Sequence, residues 1–187
     1  MAEKKPSIHK TLLILLVVFI PPFWLLFTDD GMRTSDTALL WLLGEDEIKL
    51  NFAELDTGFT REDIQTVFSE NDWRCGDKDT PLGNHVCAAK IGTFNGYPAS
   101  LLTFFFRDQH VSAFKLIYRD QYHQQFIGHF IQQFGQPDNV EQAVAEGPNA
   151  DTVLEWRLDK GVLVMSKEMG EGVEPSFMWL AAKPVAP

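Results

Sequence analysis

The 187-residue sequence is poor in cysteine, in positive charge and in the short motifs that mark catalysis. No H-E-x-x-H, G-x-S-x-G, Walker or G-x-G-x-x-G pattern occurs, so nothing points to zinc hydrolysis, acyl transfer or nucleotide binding. No catalytic residue, cofactor or metal is expected. Lys and Arg number 16 against 26 Asp and Glu, a net charge of −10. An acidic surface repels phosphate backbones and anionic headgroups, which excludes nucleic acid as a partner. There is no low-complexity tract and no long charge run. The first cysteine is Cys75, so no cysteine follows an N-terminal apolar run as a lipoprotein signal requires.

One long apolar run does exist. Thr11 to Phe27 holds 17 residues without a charge, preceded by Lys4, Lys5 and Lys10 and followed by Asp29 and Asp30. As a helix it reaches roughly 26 Å, near the lower limit for crossing a hydrocarbon core. Leu25-Leu26-Phe27-Thr28 offers no small-x-small cleavage site, so the run reads as an uncleaved signal anchor and not as a removed signal. Pro21 and Pro22 remove two backbone donors in mid-span and predict a kink, or a notch for a partner helix. Trp24 suits the outer interface. Basic residues stay on the cytoplasmic side, which predicts residues 1–28 as a basic start and single span, with everything after it outside the cytoplasm. In a bacterium that is the inner membrane and the periplasm.

In that compartment Cys75 and Cys87 read as a disulfide closing a polar loop. A zinc site built on His85 lacks a second ligand pair, and Asp77 with Asp79 lacks the glycine-and-glutamate frame of a calcium loop. Residues 29–58 read as a juxtamembrane linker with a brief helix through Ala38–Leu43, capped by Ser35 or Asp36 and stopped by Gly44; this run, apolar on every side, either packs into the domain, the favoured reading, or rests on the membrane near the anchor. A short strand at Ile48–Phe52 follows. Residues 59–183 then form the domain proper. Thr60 and Asp63 make a capping box, and Ile64, Val67 and Phe68 give the helix one buried face ending near Asn71.

Strands follow from Val86, with Asn95-Gly96 as a hairpin turn. Ser100–Phe106 is apolar on both sides and is expected at the sheet centre, covered on each face. Arg107–His110 turns the chain into a strand carrying Phe114, Leu116 and Tyr118. A second helix from Asp120 carries the Phe126, Ile127, Phe130, Ile131 and Phe134 stripe and ends at Gly135 before Pro137. Residues 138–151 read as a loop. Strands at 154–158, 162–167 and 176–182 complete the chain.

Each helix is thus followed by strands with a glycine turn, a tandem unit of about 60 residues. The fold class is α+β, an antiparallel sheet with both main helices on one face. The segment Phe134-Gly135-Gln136-Pro137 followed by a strand with Trp156 resembles the β-lactamase-inhibitor-like group and the SmpA-type lipoproteins of outer-membrane assembly. That resemblance implies a small binding module without catalysis.

His123 reads as a core histidine, His129 as polar-face and His110 as a turn residue. Asp56, Glu62 and Asp63 suit helix capping. Tyr97, Phe104, Phe105, Phe106, Trp156 and Trp179 are aromatics on strands and read as core. As the walls of a groove they would instead make a ligand-binding or sensory domain. The leading expectation is a non-enzymatic, membrane-anchored accessory or scaffold protein with an envelope or inner-membrane protein as partner.

Overall fold

The computed structural model describes residues 8–43, 46–52, 55, 58–141, 152–170 and 172–182. Two N-terminal helices, α1 (Ile8–Phe27) and α2 (Asp29–Leu42), precede the domain. A short strand β1 (Glu47–Ile48) and helix α3 (Arg61–Val67) follow, then β2 (Arg74–Thr80), β3 (Gly83–Lys90), β4 (Thr93–Phe94), β5 (Tyr97–Arg107) and β6 (His110–Tyr118). After a 3-10 turn, α4 (His123–Phe134) leads into β7 (Asp138–Glu141), β8 (Thr152–Leu158), β9 (Gly161–Ser166) and β10 (Ser176–Ala181). The class is mixed α+β.

The long strands run antiparallel in the order β2-β3-β5-β6-β10-β9-β8-β7, with β1 and β4 branching from the start of β5. The order is symmetrical about its middle. Each half of the chain supplies a helix and a meander, and the halves meet where β10 pairs with β6. Local chemistry explains the joints. Asn95 (φ 49°) and Gly96 (φ 78°) turn β4 into β5, and the Asn95 amide exchanges two hydrogen bonds with the Leu50 backbone (2.9 and 3.0 Å). Thr60 and Asp63 cap α3 reciprocally. Those hydrogen bonds from Thr60 hold the Asp63 carboxyl below its ordinary value. Gly135 closes α4 with a positive φ of 86°.

One face of the strands carries Leu102, Phe104, Phe106, Phe114, Leu116, Phe177, Trp179, Leu163 and Trp156, all buried. Ile64 of α3 and Phe126 and Phe130 of α4 join the same cluster. Phe177 is its hub, with Phe130 at 4.9 Å, Phe126 at 5.4 Å, Phe94 at 5.7 Å and Phe114 at 6.0 Å between ring centroids. Trp179 fits over β9 only because Gly161 has no Cβ; one built there would lie 2.5 Å from the indole.

Several expectations are corrected. Residues 29–36 are helical, not a linker: the Thr28 hydroxyl accepts from the Gly31 N–H (3.1 Å) and starts a 14-residue helix, while Ser35 and Asp36 lie inside it. Its end does not pack into the domain, since Leu39, Trp41, Leu42 and Leu43 are 53%, 79%, 73% and 67% exposed. Gly44 and Asp56 lie outside the described residues. Only Glu47–Ile48 of the first strand pairs, although Ile48, Leu50 and Phe52 are all buried. Val67 is 60% exposed, because α3 ends there and Phe68 already leaves the helical path (φ −118°, ψ 48°).

The segment between the cysteines is a β-hairpin, not a loop, and residues 138–141 pair with β8. Leu101, Thr103 and Phe105 of β5 are half-exposed, so this strand is covered on one face and not on both.

Replacing Phe177 with Ala should cost about 3–5 kcal/mol, a large part of a typical stability, read as a lowered denaturation midpoint. A milder loss, near that of a surface substitution, would mean that the aromatic hub does not join the halves.

Candidate functional site

The Cys75–Cys87 disulfide links directly opposed residues of β2 and β3 (Cα–Cα 4.0 Å). His85 places a ligand atom within 4.8 Å of both sulfurs, but the disulfide consumes the thiolates a zinc site requires. His85 instead pairs through Nδ1 with Asp77 (2.7 Å), its cross-strand neighbour, and its Nε2 lies 3.4 Å from the Arg61 guanidinium. These residues line a cleft of about 440 Å³ with Asn84, Phe106, Asp108 and Gln109. Asp108 (φ 53°) and Gln109 (φ 71°) hold the tight β5–β6 turn in the left-handed region. A carboxylate-oriented imidazole is base-like. However, no hydroxyl or thiol lines the cleft, and the Asp77 side chain is 95% exposed. The pair fastens the hairpin.

The predicted histidines scatter. His123 is buried in the Tyr118 corner, where the Tyr118 hydroxyl and His123 Nδ1 are 2.8 Å apart and His123 Nε2 faces the Lys167 carbonyl (3.4 Å). Burial pushes the Tyr118 phenol up and holds His123 below the ordinary histidine value. His129 is not on a polar face: its ring lies 5.1 Å from Tyr97 and burial lowers its pKa too. His110 sits exposed at the turn into β6. Phe104, Phe106, Trp156 and Trp179 are core and form no groove. Tyr97 packs on Phe126, and Phe105 lies half-exposed on the opposite sheet face.

The residues of the apolar run, Thr11, Pro21, Pro22, Trp24 and Phe27, all fall in α1. The helix continues through the proline pair. The sharp bend, 84° between Leu12–Phe27 and Asp30–Leu42, lies at Thr28 instead. There the Trp24 carbonyl accepts from both the N–H (3.2 Å) and the hydroxyl (2.7 Å) of Thr28, which closes α1 as α2 opens. Gly31 permits the elbow, because a Cβ there would lie 2.0 Å from the Trp24 oxygen. No single helix among the described residues is long and apolar enough to cross a membrane; α1 and α2 pass that test of length and composition only as a bent pair.

The second limb of the elbow is fastened to the domain. Arg33 donates to the Gly96 carbonyl (3.2 Å) and stacks 5.1 Å from the Tyr97 ring centroid. Three residues on, one Asp36 oxygen accepts from Arg119 (3.2 Å), Gln121 (3.1 Å) and the Tyr122 hydroxyl. Burial, followed by the hydrogen bond to Asp36, pushes the Tyr122 phenol up to about 12. Sequence reasoning missed this latch, since its partners lie more than 60 residues away. A groove of about 750 Å³ runs beside it, lined by Arg33, Thr37, Trp41, Asp46, Glu47 and Thr93. No protein-family model, curated protein or solved structure matches the chain.

Asp36→Ala should leave the core folded but loosen α2, costing about 1–3 kcal/mol as charge-assisted bonds are lost. Hydrogen exchange that quickens in residues 29–43 and not in β5 or β6 checks it. The histidine corner gives a pH dependence. The unfolded chain protonates His123 near pH 6.5, while the folded chain does so only at lower pH. Stability is therefore full above about pH 6.5 and falls as pH drops through the folded value. His123→Gln should flatten that decline in melting temperature; an unaltered slope would count against the assignment.

Proposed function

We propose that this chain is a membrane-anchored, non-enzymatic accessory domain of the bacterial envelope, in which α1 enters the inner membrane and the acidic domain stands on the periplasmic side. The observation that carries the reading is the elbow, whose outer limb is latched to the domain while α1 stays clear of it. The side chains described from Leu12 to Phe27 are exposed, apart from a half-buried Leu25, a costly surface for a chain surrounded by water. A span a few Å short of the hydrocarbon thickness is accommodated by local thinning and by snorkelling of Lys10. The disulfide fits an oxidising compartment.

The contact surface of such a domain is the uncovered face of the sheet. With both main helices on the other side, Leu101, Phe105, Ile117, Val162, Val164 and Met178 stand half-exposed around Lys115. An apolar sheet face of this kind suits a protein partner. The symmetrical strand order supports descent from a duplicated unit.

A photo-crosslinking residue at Val164 should capture one stoichiometric membrane-fraction protein, whereas one at Arg61 should not. Capture of nothing from the open face, or a stable monomer whose melting rises only with a small molecule, would overturn the accessory role. Protease added outside spheroplasts should remove the domain.

A further inference from the structure

We propose a redox-gated metal site on the β2–β3 hairpin: when the Cys75–Cys87 disulfide is reduced, its two thiolates, the His85 imidazole and the Asp77 carboxylate hold one zinc-class cation. The inference stands apart from the membrane reading, because it uses only the outer edge of the sheet. Cys75 is paired with Cys87, and Asp77 with His85. On each strand the two members are two residues apart, and the period of a strand turns all four side chains to one side of the hairpin. They form a square of two sulfurs, one imidazole and one carboxylate. The sulfurs and a ring nitrogen of His85 already lie within 4.8 Å of one another. Donors around a tetrahedral zinc stand about 3.5–3.8 Å apart, given bonds of about 2.3 Å to sulfur and about 2.0 Å to nitrogen. The fourth donor is at hand, since an Asp77 oxygen is 2.7 Å from His85 Nδ1. Counting along the chain gives only two cysteines and a histidine; the register of the hairpin adds the carboxylate.

The disulfide can be reached. Cys75 is exposed on the edge strand, while Cys87 is buried. Cys75 Sγ is therefore the atom that an external thiolate attacks. A dithiol reductant bonds to it there, and Cys87 leaves as a thiolate and takes up a proton. The second thiol of the reductant then displaces Cys75, which is protonated in turn. Two electrons and two protons have entered the pair, and the reductant departs as its own disulfide. The cation takes the place of both thiol protons. The pairing of β2 with β3 keeps the parted sulfurs facing each other. Two thiolates and an imidazole select zinc over magnesium or calcium. With the carboxylate they carry three negative charges against the two positive charges of the cation, and the Arg61 guanidinium, 3.4 Å from His85 Nε2, offsets the remainder.

The full chain in mild detergent is reduced with a phosphine under nitrogen and titrated with cobalt(II), a coloured stand-in for zinc. One equivalent should bind and give the intense ligand-field and sulfur-to-metal charge-transfer bands of tetrahedral thiolate cobalt. The oxidised chain should give neither. Zinc should bleach those bands and raise the melting temperature of the reduced chain but not of the oxidised one. His85→Ala and Asp77→Asn should each weaken cobalt binding about tenfold or more, and His110→Ala should leave it unchanged. Reduced chain that shows no charge-transfer band overturns the site. So does cobalt binding that survives either His85→Ala or Asp77→Asn at full strength, because the thiols then hold the ion without their neighbours. If reduction unfolds the chain, zinc that fails to restore its near-ultraviolet circular dichroism overturns the proposal as well.

Discussion

The pairing of β6 with β10, and the removal of aromatic surface from water that accompanies it, is the constraint on which this structure depends. Neither half of the chain can cover its own phenylalanines. Phe114 comes from the first half and Phe177 from the second, and their rings lie 6.0 Å apart. Phe126 and Phe130 close over Phe177 from α4, while Phe52 and Phe94 reach it from the segment after the elbow. Each buried ring contributes about 1.5–3 kcal/mol of transfer free energy. The N-terminal helices are attached to this body by other means. A cation over a ring and a carboxylate with three donors hold α2.

Polar fastening matters because of where it acts. The charged latch holds a 14-residue helix whose end, Leu39 and Trp41 to Leu43, stays exposed. It also sets the orientation of α2, since Arg33 and Asp36 meet different elements, the β4–β5 turn and the corner before α4. An overall acidic chain thus uses two of its few arginines, Arg33 and Arg119, at one joint.

What the sequence made legible was punctuation. Thr60 with Asp63, Asn95-Gly96 and Gly135 before Pro137 act through their own backbone neighbourhood, so they could be read directly and the structure repeats them. The alternation of Phe114, Leu116 and Tyr118 was equally plain. What failed depended on distant partners. The part of the hairpin before Val86 was read as a loop because β2 is an edge strand with polar residues on both sides and carries no alternation. Asp138–Glu141 was missed for the same reason. Asp29 to Asp36 looked like a linker because its helix is stabilised by a threonine cap and a tertiary latch, neither of which produces an apolar period. Ser100–Phe106 looked doubly covered because Leu101 and Phe105 on its outer side are also apolar, and composition cannot distinguish a buried face from an exposed one.

The last strand among the described residues, β10, occupies the middle of the sheet, between β6 and β9. Until residues 176–181 have been synthesised, each half presents an open ribbon edge and an unroofed set of rings. Assembly of the sheet is therefore gated by the arrival of residues 176–181, and the order of synthesis sets the order in which the two halves can close.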